Sequence, residues 1–398
     1  MEADTDSRDF LSIAWENYFE KNKDAKNTLV FHEQSKFRKV DDCNLVAFYN
    51  PRHDVNRFFK KDEEEEEDNN DSLDLDDDLN VFKNDGTDSD LIKANKDKIL
   101  FYVDLENEEI IDVDKRDAEK EEGTNLEQEV DSAVHPVLIN QFPLGKEHAV
   151  LLLFAEEGLP QILSDEILDL LFQIFRLSPN KNLRIGYNSM GAEWWINNLH
   201  FHMLSTHQIF SEVKEVKRFP IEDWKANKIL DSTLQHKSKD EINMYSVGVA
   251  FYITDDWPIK TFIVKPLKSD TEATGEVENT LGEAADPTAS VAHAVGVLLN
   301  ILIDSNIPHN LLISEQGEVV YIIPRKFDLL INAANFSTEF NDLCGLVKCK
   351  DEKTFETLTY AQYQKFLQKE VALDSDSFTK VKEELIAKFT KEYEWNQY

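Results

Sequence analysis

The strongest constraint on the fold is a run of acidic residues that no hydrophobic core can absorb. Residues 62–90 contain 15 acidic residues and one lysine, and residues 104–131 contain 13 acidic and three basic residues. Charge repulsion and low hydrophobicity keep such segments from burying apolar surface. We therefore predict a largely disordered acidic insertion over residues 62–131. A solvated tether is the simplest interpretation, and a docking site for a basic partner is the alternative.

The two acidic segments carry most of the net charge of −35, and the remaining chain has ordinary globular composition. Its 398 residues are enough for one large domain or two ordinary ones. An acidic chain without basic runs repels phosphate backbones, so no nucleic-acid partner is expected. The three cysteines are too few for a disulfide framework, which favours a reducing cytoplasm. The acidic N-terminus lacks a signal core and no apolar run is long enough for a membrane span, so no membrane partner is expected.

Apolar spacing predicts helices and strands outside the insertion. The stretch LSDEILDLLFQIFRLSPN predicts a helix with Ser164 as its N-cap and Pro179 as its stop. TASVAHAVGVLLNILIDSN predicts a second helix, and DSFTKVKEELIAKF predicts a closing amphipathic helix. HNLLISEQGEVVYIIPR predicts a hairpin around Gln316 and Gly317. A strand–helix–hairpin order occurs in both halves, so the predicted fold class is α+β with largely antiparallel sheets.

The stretch NNLHFHML, residues 197–204, combines a strand pattern with two histidines. Side chains alternate between the two faces of a strand, so Asn198, His200 and His202 project together. Their apolar neighbours project to the opposite face and suit a hydrophobic core. The nitrogen-bearing row needs partners, because an unsatisfied buried polar group costs about 1–3 kcal/mol.

The preceding stretch YNSMGAEWW offers groups that suit a phosphate. Asn188 and Ser189 can donate hydrogen bonds, and Gly191 lets the backbone approach a ligand closely. From spacing alone, ordinary core or surface histidines remain the alternative to a phosphate site. A metal site is disfavoured, because no third ligand lies close in sequence. We expect a surface ion pair for Arg184 and a structural hydrogen bond for His148.

The longer stretch RIGYNSMGAEWWINNLHFHML resembles the signature of the GDP-hexose phosphorylases. This group, which includes GDP-L-galactose and GDP-D-glucose phosphorylases, belongs to the histidine-triad superfamily. FHEQSKFRKVDDCNLVAFYNPRH, VLINQFPLGKEHAVLLLF and SNIPHNLLISEQGEVVYIIPRK resemble other segments of the same family. The resemblance implies two histidine-triad-like halves, each an antiparallel sheet with a packed helix. The N-terminal half would comprise residues 8–60 and 133–215, and the C-terminal half residues 216–398.

The resemblance also implies a chemistry. The expected enzyme is a guanylyltransferase that phosphorolyses GDP-D-glucose or GDP-L-galactose to hexose 1-phosphate and GDP. His200 matches the nucleophile of the family, which becomes guanylylated. The expected partners are the GDP-hexose and inorganic phosphate, no metal or cofactor is required, and the oligomeric state stays open. The residues expected to bind the substrate or its phosphates are His202, Asn198, Asn188, Ser189, Gly191 and Arg52.

Two departures from the family pattern leave other functions open. Asn198 stands where the family usually has histidine, and asparagine cannot carry a positive charge. Trp194 and Trp195 occupy positions where relatives often have small residues; they narrow the pocket or simply pack in the core. The alternatives are therefore a catalytically impaired nucleotide-binding or regulatory paralogue, and a GDP-sugar hydrolase. The hydrolase is considered because His202 stands where transferases of the wider superfamily often have glutamine.

Overall fold

The structure is a computed structural model that describes most of the chain outside the acidic residues 62–90. Arg52, Trp194 and Trp195 also lie outside the described residues, so the predictions made for them stay predictions. The described residues are 10–22, 34–41, 44–51, 96–116, 134–140, 143–155, 157–192, 198–213, 215–237, 244–267, 287–327 and 335–390.

The helices agree with the apolar spacing of the sequence. The Ser164 hydroxyl accepts a hydrogen bond from the Ile167 amide at 3.3 Å, so the predicted N-cap is confirmed, and the helix ends before Pro179. A π-helical turn, Leu367–Val371, continues the seventh helix. The described helices are α1 (Phe10–Lys21), α2 (Asp165–Leu177), α3 (Thr206–Ile209), α4 (Pro287–Asp304), α5 (Phe340–Leu343), α6 (Glu352–Thr357), α7 (Tyr360–Phe366) and α8 (Ser375–Thr390).

The described strands form an eleven-stranded sheet, ordered β4-β3-β5-β6-β8-β7-β12-β13-β11-β10-β9, and a three-stranded sheet, ordered β1-β2-β14. Their bounds are β1 (Lys36–Val40), β2 (Leu45–Tyr49), β3 (Ile99–Asp104), β4 (Glu109–Ile111), β5 (Val134–Ile139), β6 (Ala149–Leu152), β7 (Leu183–Asn188), β8 (His200–Ser205), β9 (Ala226–Lys237), β10 (Met244–Thr254), β11 (Phe262–Pro266), β12 (His309–Ser314), β13 (Val319–Pro324) and β14 (Leu346–Lys348).

The large sheet consists of two similar units joined edge to edge. Each unit has the chain order strand, strand, helix, strand, strand: β5, β6, α2, β7 and β8 in the first, and β10, β11, α4, β12 and β13 in the second. Within each unit the fourth strand lies between the second and the third. Strands β7 and β12 pair antiparallel, so the two half-sheets merge into one. The predicted α+β class is confirmed, and the histidine strand β8 lies inside the sheet.

One face of the sheet carries the main core, formed with α2 and α4. Phe201 and Met203 of β8, and Leu199 just before it, are fully buried there. Helix α4 is long and apolar enough to cross a membrane by length and composition, but its apolar residues pack in this core. The face of β8 that bears the histidines is therefore turned away from both long helices.

A second apolar layer covers part of the opposite face. It contains the small sheet β1-β2-β14 and the helices α5 to α7, with Phe340 and Leu343 packed near Leu204 and Leu312 of the large sheet. Strand β2 pairs in parallel with β14. The hairpin β1–β2, which the sequence assigns to the N-terminal half, thus joins the C-terminal segment. Local sequence patterns carry no information on a pairing between strands so far apart in the chain.

The predicted acidic insertion is too long. Residues 96–116, inside the predicted range 62–131, contribute β3 and β4 to the large sheet, and β3 pairs with β5. The physical reason is that ILFYV carries no charge, while acidic residues gather in the turn that follows. There Asp104 accepts hydrogen bonds from the amides of Glu106 and Asn107. Counting charge over a long window hides this short apolar strand.

Candidate active site

Strand β8 presents the nitrogen-bearing row predicted from its alternation. His202 lies opposite Val150 of β6 on one side and Gly186 of β7 on the other. His200 and His202 are only 1% and 2% exposed. Burial disfavours the charged form of an imidazole. It lowers the pKa of His200 to about 4 and the pKa of His202 well below its ordinary value.

The backbone next to His200 decides which of its ring nitrogens carries the proton. Nδ1 of His200 lies 2.8 Å from the carbonyl oxygen of Asn198. A carbonyl oxygen can only accept, so Nδ1 must donate and therefore holds the proton of the neutral ring. Nε2 of His200 is then the nitrogen with a lone pair. A neutral, deprotonated Nε2 is the form of imidazole that can attack phosphorus.

In His202 the ring proton lies on the other nitrogen, Nε2, because of a contact with His148. The Leu144 amide donates to Nδ1 of His148 at 3.0 Å, so the proton of neutral His148 sits on Nε2. That nitrogen lies 3.0 Å from Nδ1 of His202, which must accept, and His202 therefore carries its proton on Nε2. The Asn140 amide also lies 2.9 Å from His148 Nε2. The two ends of an amide are interchangeable in shape, so its oxygen can face the same proton.

His200 and His202 are thus neighbouring rings with complementary roles. Their ring centroids are 5.7 Å apart. His200 offers an acceptor nitrogen and His202 offers an N–H donor. Burial also lowers the pKa of His148 to about 3, so the pair His148–His202 stays neutral at physiological pH. The predicted structural hydrogen bond of His148 is present, and it sets the proton of the neighbouring histidine.

Asn188 contributes an amide on the same face. Its Oδ1 accepts from Nδ2 of Asn310 at 2.7 Å and from the Phe340 amide at 2.9 Å. The Phe340 amide is a backbone donor, so it fixes which end of the Asn188 amide is oxygen. Nδ2 of Asn188 is buried and has no hydrogen-bond partner among the residues that the structure describes. Such a group costs about 1–3 kcal/mol unless it meets an acceptor.

Gly186 makes room for an aromatic cover over His202. A Cβ at Gly186 would lie 2.1 Å from the Phe340 ring, so only glycine permits this contact. The Phe340 ring centroid is 5.4 Å from that of His202. Helix α5, which begins at Phe340, is thereby packed directly against the histidine strand. The role of Gly186 in the motif is to admit this ring.

A buried lysine supplies positive charge near the imidazoles of His148 and His202. Lys348 of β14 is 5% exposed, and its Nζ lies 2.9 Å from Oε1 of Glu339. Its charge is among the causes that lower the pKa of His148 and His202, after the larger effect of burial. Sequence reasoning missed this residue. Its only signal is a lysine inside the apolar stretch GLVKC, an unusual place for an ammonium group.

Other predicted binding residues already make contacts within the protein. The Ser189 hydroxyl accepts from the His309 amide at 2.8 Å and lies 3.3 Å from the Met190 carbonyl oxygen. Gly191 has a φ of +76°, and a Cβ there would meet the Phe327 ring at 2.6 Å. The chain thus uses Gly191 for a turn and for contact with Phe327. Phosphate binding by Ser189 and Gly191 stays a prediction.

Asn198 acts on His200 through its backbone. Its carbonyl oxygen holds Nδ1 of His200, while its side-chain Nδ2 donates to the Ala155 carbonyl oxygen at 3.1 Å. The ion pair expected for Arg184 is present, but its expected location at the surface is wrong. Arg184 forms a buried pair with Glu222, at 2.8 Å from Nη2 to Oε2, because β7 is covered on this face.

The histidine-rich region offers no cluster typical of a metal site. Within the parts of the chain that the structure describes, no group of three or more His, Cys, Asp and Glu could hold a metal ion. The two described cysteines, Cys344 and Cys349, are buried, and burial raises the pKa of both thiols. The described polar groups around the histidines are imidazole, amide and ammonium groups.

Comparison with known families gives a match in each half of the chain. Residues 23–204 match the family described as "GDPGP1-like, N-terminal domain", and residues 233–392 match "GDPGP1-like, C-terminal domain". The chain belongs to the GDPGP1-like family. The two matches together cover most of the chain, and the resemblance inferred from the motif sequence is confirmed.

Two relatives are named as phosphorylases of GDP-hexoses. GDP-L-galactose phosphorylase 2 of Arabidopsis thaliana is 26% identical over 241 residues, a match that covers 61% of this chain and 45% of that protein. GDP-D-glucose phosphorylase 1 of Danio rerio is 25% identical over 268 residues, covering 63% of this chain and 64% of that protein. The matched region thus spans about half to two thirds of these relatives.

Among solved structures, yeast Ap4A phosphorylase Apa2 is similar to the chain. Its complex with AMP has a TM-score of 0.47 and 14% identity, covering 93% of this chain and 99% of that one. Its complex with Ap4A has a TM-score of 0.44 and the same identity.

Proposed function

We propose that this protein is a guanylyltransferase that phosphorolyses a GDP-hexose. In the first step, Nε2 of His200 attacks the α-phosphorus and forms a P–N bond. The bond from that phosphorus to the bridging oxygen breaks, and hexose 1-phosphate leaves with the electron pair. In the second step, an oxygen of inorganic phosphate attacks the same phosphorus, the P–N bond breaks, and GDP forms. Covalent catalysis divides one displacement into two.

The observation that carries the proposal is the contact of Nδ1 of His200 with the carbonyl oxygen of Asn198, which places the ring proton on Nδ1. Its bond to the Asn198 carbonyl leaves Nε2 as the nucleophilic nitrogen. Burial keeps the ring neutral, since the pKa of His200 is lowered to about 4. The imidazole is therefore in its reactive form throughout the physiological pH range. When phosphorus bonds to Nε2, the Asn198 carbonyl stabilises the positive ring through the same hydrogen bond.

Neighbouring donors suit the charge on the α-phosphate. His202 offers its Nε2 proton because His148 holds its Nδ1 as an acceptor. Oδ1 of Asn188 accepts hydrogen bonds from Phe340 and Asn310, so the two N–H bonds of its buried Nδ2 are pre-oriented. Fixed donors in a buried site stabilise the oxygens of a phosphoryl transition state more than water does.

The positive charge of Lys348 offsets part of the repulsion between a strongly acidic chain and its anionic substrates. With a net charge of −35, the protein repels a GDP-hexose and a phosphate ion at long range. A buried ammonium near His202 offsets that repulsion locally. We assign Lys348 to the phosphate groups, with Glu339 holding its side chain in place before they bind. Family membership and the names of the two relatives support the substrate class.

The experiment is incubation with GDP-D-glucose and GDP-L-galactose, each with and without inorganic phosphate, followed by chromatography of the nucleotide products. The proposal predicts GDP and hexose 1-phosphate only when phosphate is present. ADP-glucose serves as the control for the base. GMP formation without phosphate would instead identify a hydrolase. Tight GDP-hexose binding with no product in either condition would identify a binding protein.

A further inference from the structure

Strand β8 loses one neighbour at the position of His200. Pairing between β7 and β8 ends at Gly186 and His202, although β7 continues to Asn188. On its other side β7 stays paired with β12 as far as Asn188, which lies opposite Asn310. On the β6 side the ladder continues, with Leu152 opposite His200. The two strands separate just where the nucleophile begins its strand.

The Gln161 carboxamide takes the place of the missing strand. Its Oε1 accepts from the His200 amide at 3.0 Å, and its Nε2 donates to the His200 carbonyl oxygen at 2.9 Å. A residue in an antiparallel ladder exchanges the same pair of bonds with its neighbour. Gln161 is 4% exposed, so both bonds lie away from solvent. One side chain thus satisfies both polar groups of the nucleophile's backbone.

Strand β7 in turn holds Gln161. The Tyr187 hydroxyl donates to the Gln161 carbonyl oxygen at 2.6 Å. The Tyr187 ring stacks on Phe201 of β8, with centroids 5.4 Å apart. Gln161 is therefore fixed to both strands across the opening between them. The segment before α2, 39 residues upstream of His200, thus links the two strands at this point.

We propose that Gln161 is a positioning residue for His200. This inference rests on the proposed function, and it extends the site beyond the histidine motif. The Asn198 carbonyl sets the rotation of the His200 ring, and Gln161 sets the backbone from which the ring projects. Together they define where Nε2 lies. Attack requires reacting atoms about 3–3.5 Å apart, and a displacement of about 1 Å can lower the rate about 100-fold.

Replacement of Gln161 by Glu gives a test that depends on pH. A protonated Glu keeps one donor and one acceptor, so it can make the same two bonds as glutamine. An ionised Glu cannot donate and repels the His200 carbonyl oxygen. Burial raises the pKa of a carboxyl group above its ordinary value of about 4.3, so the change falls in an accessible range. Gln161→Ala removes both bonds at every pH, and Gln368→Glu on the exposed surface of the π turn is the matched control.

We expect kcat of Gln161→Glu to fall about 10- to 100-fold at pH 8 with little change in KM, and to recover toward the wild-type value near pH 5.5. Gln161→Ala should keep its low kcat at both pH values, and Gln368→Glu should follow the wild type. Hydrogen exchange at the His200 amide should be faster in Gln161→Ala. Because hydrogen exchange does not depend on turnover, it tests the hydrogen bonds between Gln161 and the His200 backbone even in an inactive protein.

Faster exchange in Gln161→Ala with wild-type kcat would overturn the positioning role and leave the proposed function intact. A kcat of Gln161→Glu that tracks the wild type from pH 5.5 to 8 would also overturn it. If the wild type itself turns over no GDP-hexose with phosphate, the proposed function fails instead. In that case, an unchanged exchange rate of the His200 amide in Gln161→Ala would independently reject the pair of hydrogen bonds between Gln161 and the His200 backbone.

Discussion

The position of a single proton distinguishes two histidines that share one strand face. His200 and His202 have the same side chain and similar burial. A backbone carbonyl two residues earlier holds Nδ1 of His200, whereas the imidazole of His148 holds Nδ1 of His202. The first contact leaves a lone pair on Nε2 and the second leaves a proton there. The proposed division into nucleophile and donor follows from these two partners.

The same geometry predicts that the departure at Asn198 is tolerated. Every amino acid supplies a backbone carbonyl, so Asn198→His and Asn198→Ala should retain the bond to His200 Nδ1. We expect Asn198→His to hold or raise kcat. Asn198→Ala should cost about 1 kcal/mol of stability through loss of the Ala155 bond. Steady-state kinetics and denaturant unfolding measure both. A more than 100-fold loss of kcat in both folded variants would show that the Asn198 amide acts in catalysis.

The sequence predicts which side chains share a face of β8, but it does not predict the contacts that set the proton positions and the orientation of the histidines. Alternation alone places His200 and His202 opposite the core. The tautomer of His202 depends on Leu144 and His148, which lie more than 50 residues away in the sequence. Lys348 and Gln161 are brought in by tertiary packing, for which the sequence has no local pattern. The contact between the Ser189 hydroxyl and the His309 amide also has no local pattern, and phosphate binding by Ser189 stays a prediction.

At the scale of elements, a contact between strand β7 and the short helix α5 covers His202. Phe340 of α5 lies on Gly186 of β7 beside His202. Gly186→Ala places a methyl group where the ring lies and should destabilise the fold by about 1–3 kcal/mol through overpacking. In a Phe340→Ala background the same change should cost almost nothing. Denaturant unfolding of the four proteins in this double-mutant cycle gives the coupling energy. Equal costs in both backgrounds would contradict the contact.

Elements with complete local signals were predicted well. Helix α2 has its cap, its apolar face and its stop within one stretch of sequence. The hairpin β12–β13 around Gln316 and Gly317 is likewise present. Strands β3 and β4 were missed, because acidic turns surround a short apolar run. The pairing of β2 with β14 was missed because it joins opposite ends of the chain.

At the scale of the whole molecule, two parts of the predicted insertion should behave differently. Deletion of residues 62–90 should leave the thermal midpoint and nucleotide binding nearly unchanged, because so dense a charge cannot bury a core. Phe101→Ala in β3 should cost about 3–5 kcal/mol, since this ring is 2% exposed in the main core. Calorimetry of both variants makes the comparison. A large loss of stability on deletion would show that residues 62–90 are structural.

Buried neutral histidines also make the fold sensitive to acid. Burial lowers the pKa of His148 to about 3 and the pKa of both His200 and His309 to about 4. The unfolded chain, with values near 6.5, binds these protons first. Stability should therefore be complete above about pH 6.5 and fall as the pH drops toward 4, by up to about 1.4 kcal/mol per pH unit for each histidine.

The variant His309→Gln tests this linkage without changing His200, the proposed nucleophile. It removes one of the depressed pKa values, so its free energy of unfolding should fall less steeply between pH 6.5 and 4 than that of the wild type. Urea unfolding at several pH values measures the difference in slope. Parallel curves for the two proteins would mean that His309 titrates in the fold as it does in the unfolded chain.

The most direct test of the central claim is capture of the covalent intermediate on His200. The wild type is mixed with GDP-hexose labelled at the α-phosphorus, without phosphate, and is denatured at alkaline pH because phosphoramidates are labile in acid. We predict label on the wild type and on His309→Gln, none on His200→Ala, and transfer of the label to GDP when phosphate is added before denaturation. Equal label on the wild type and His200→Ala would place the nucleophile elsewhere, and turnover without label on the wild type would contradict covalent catalysis.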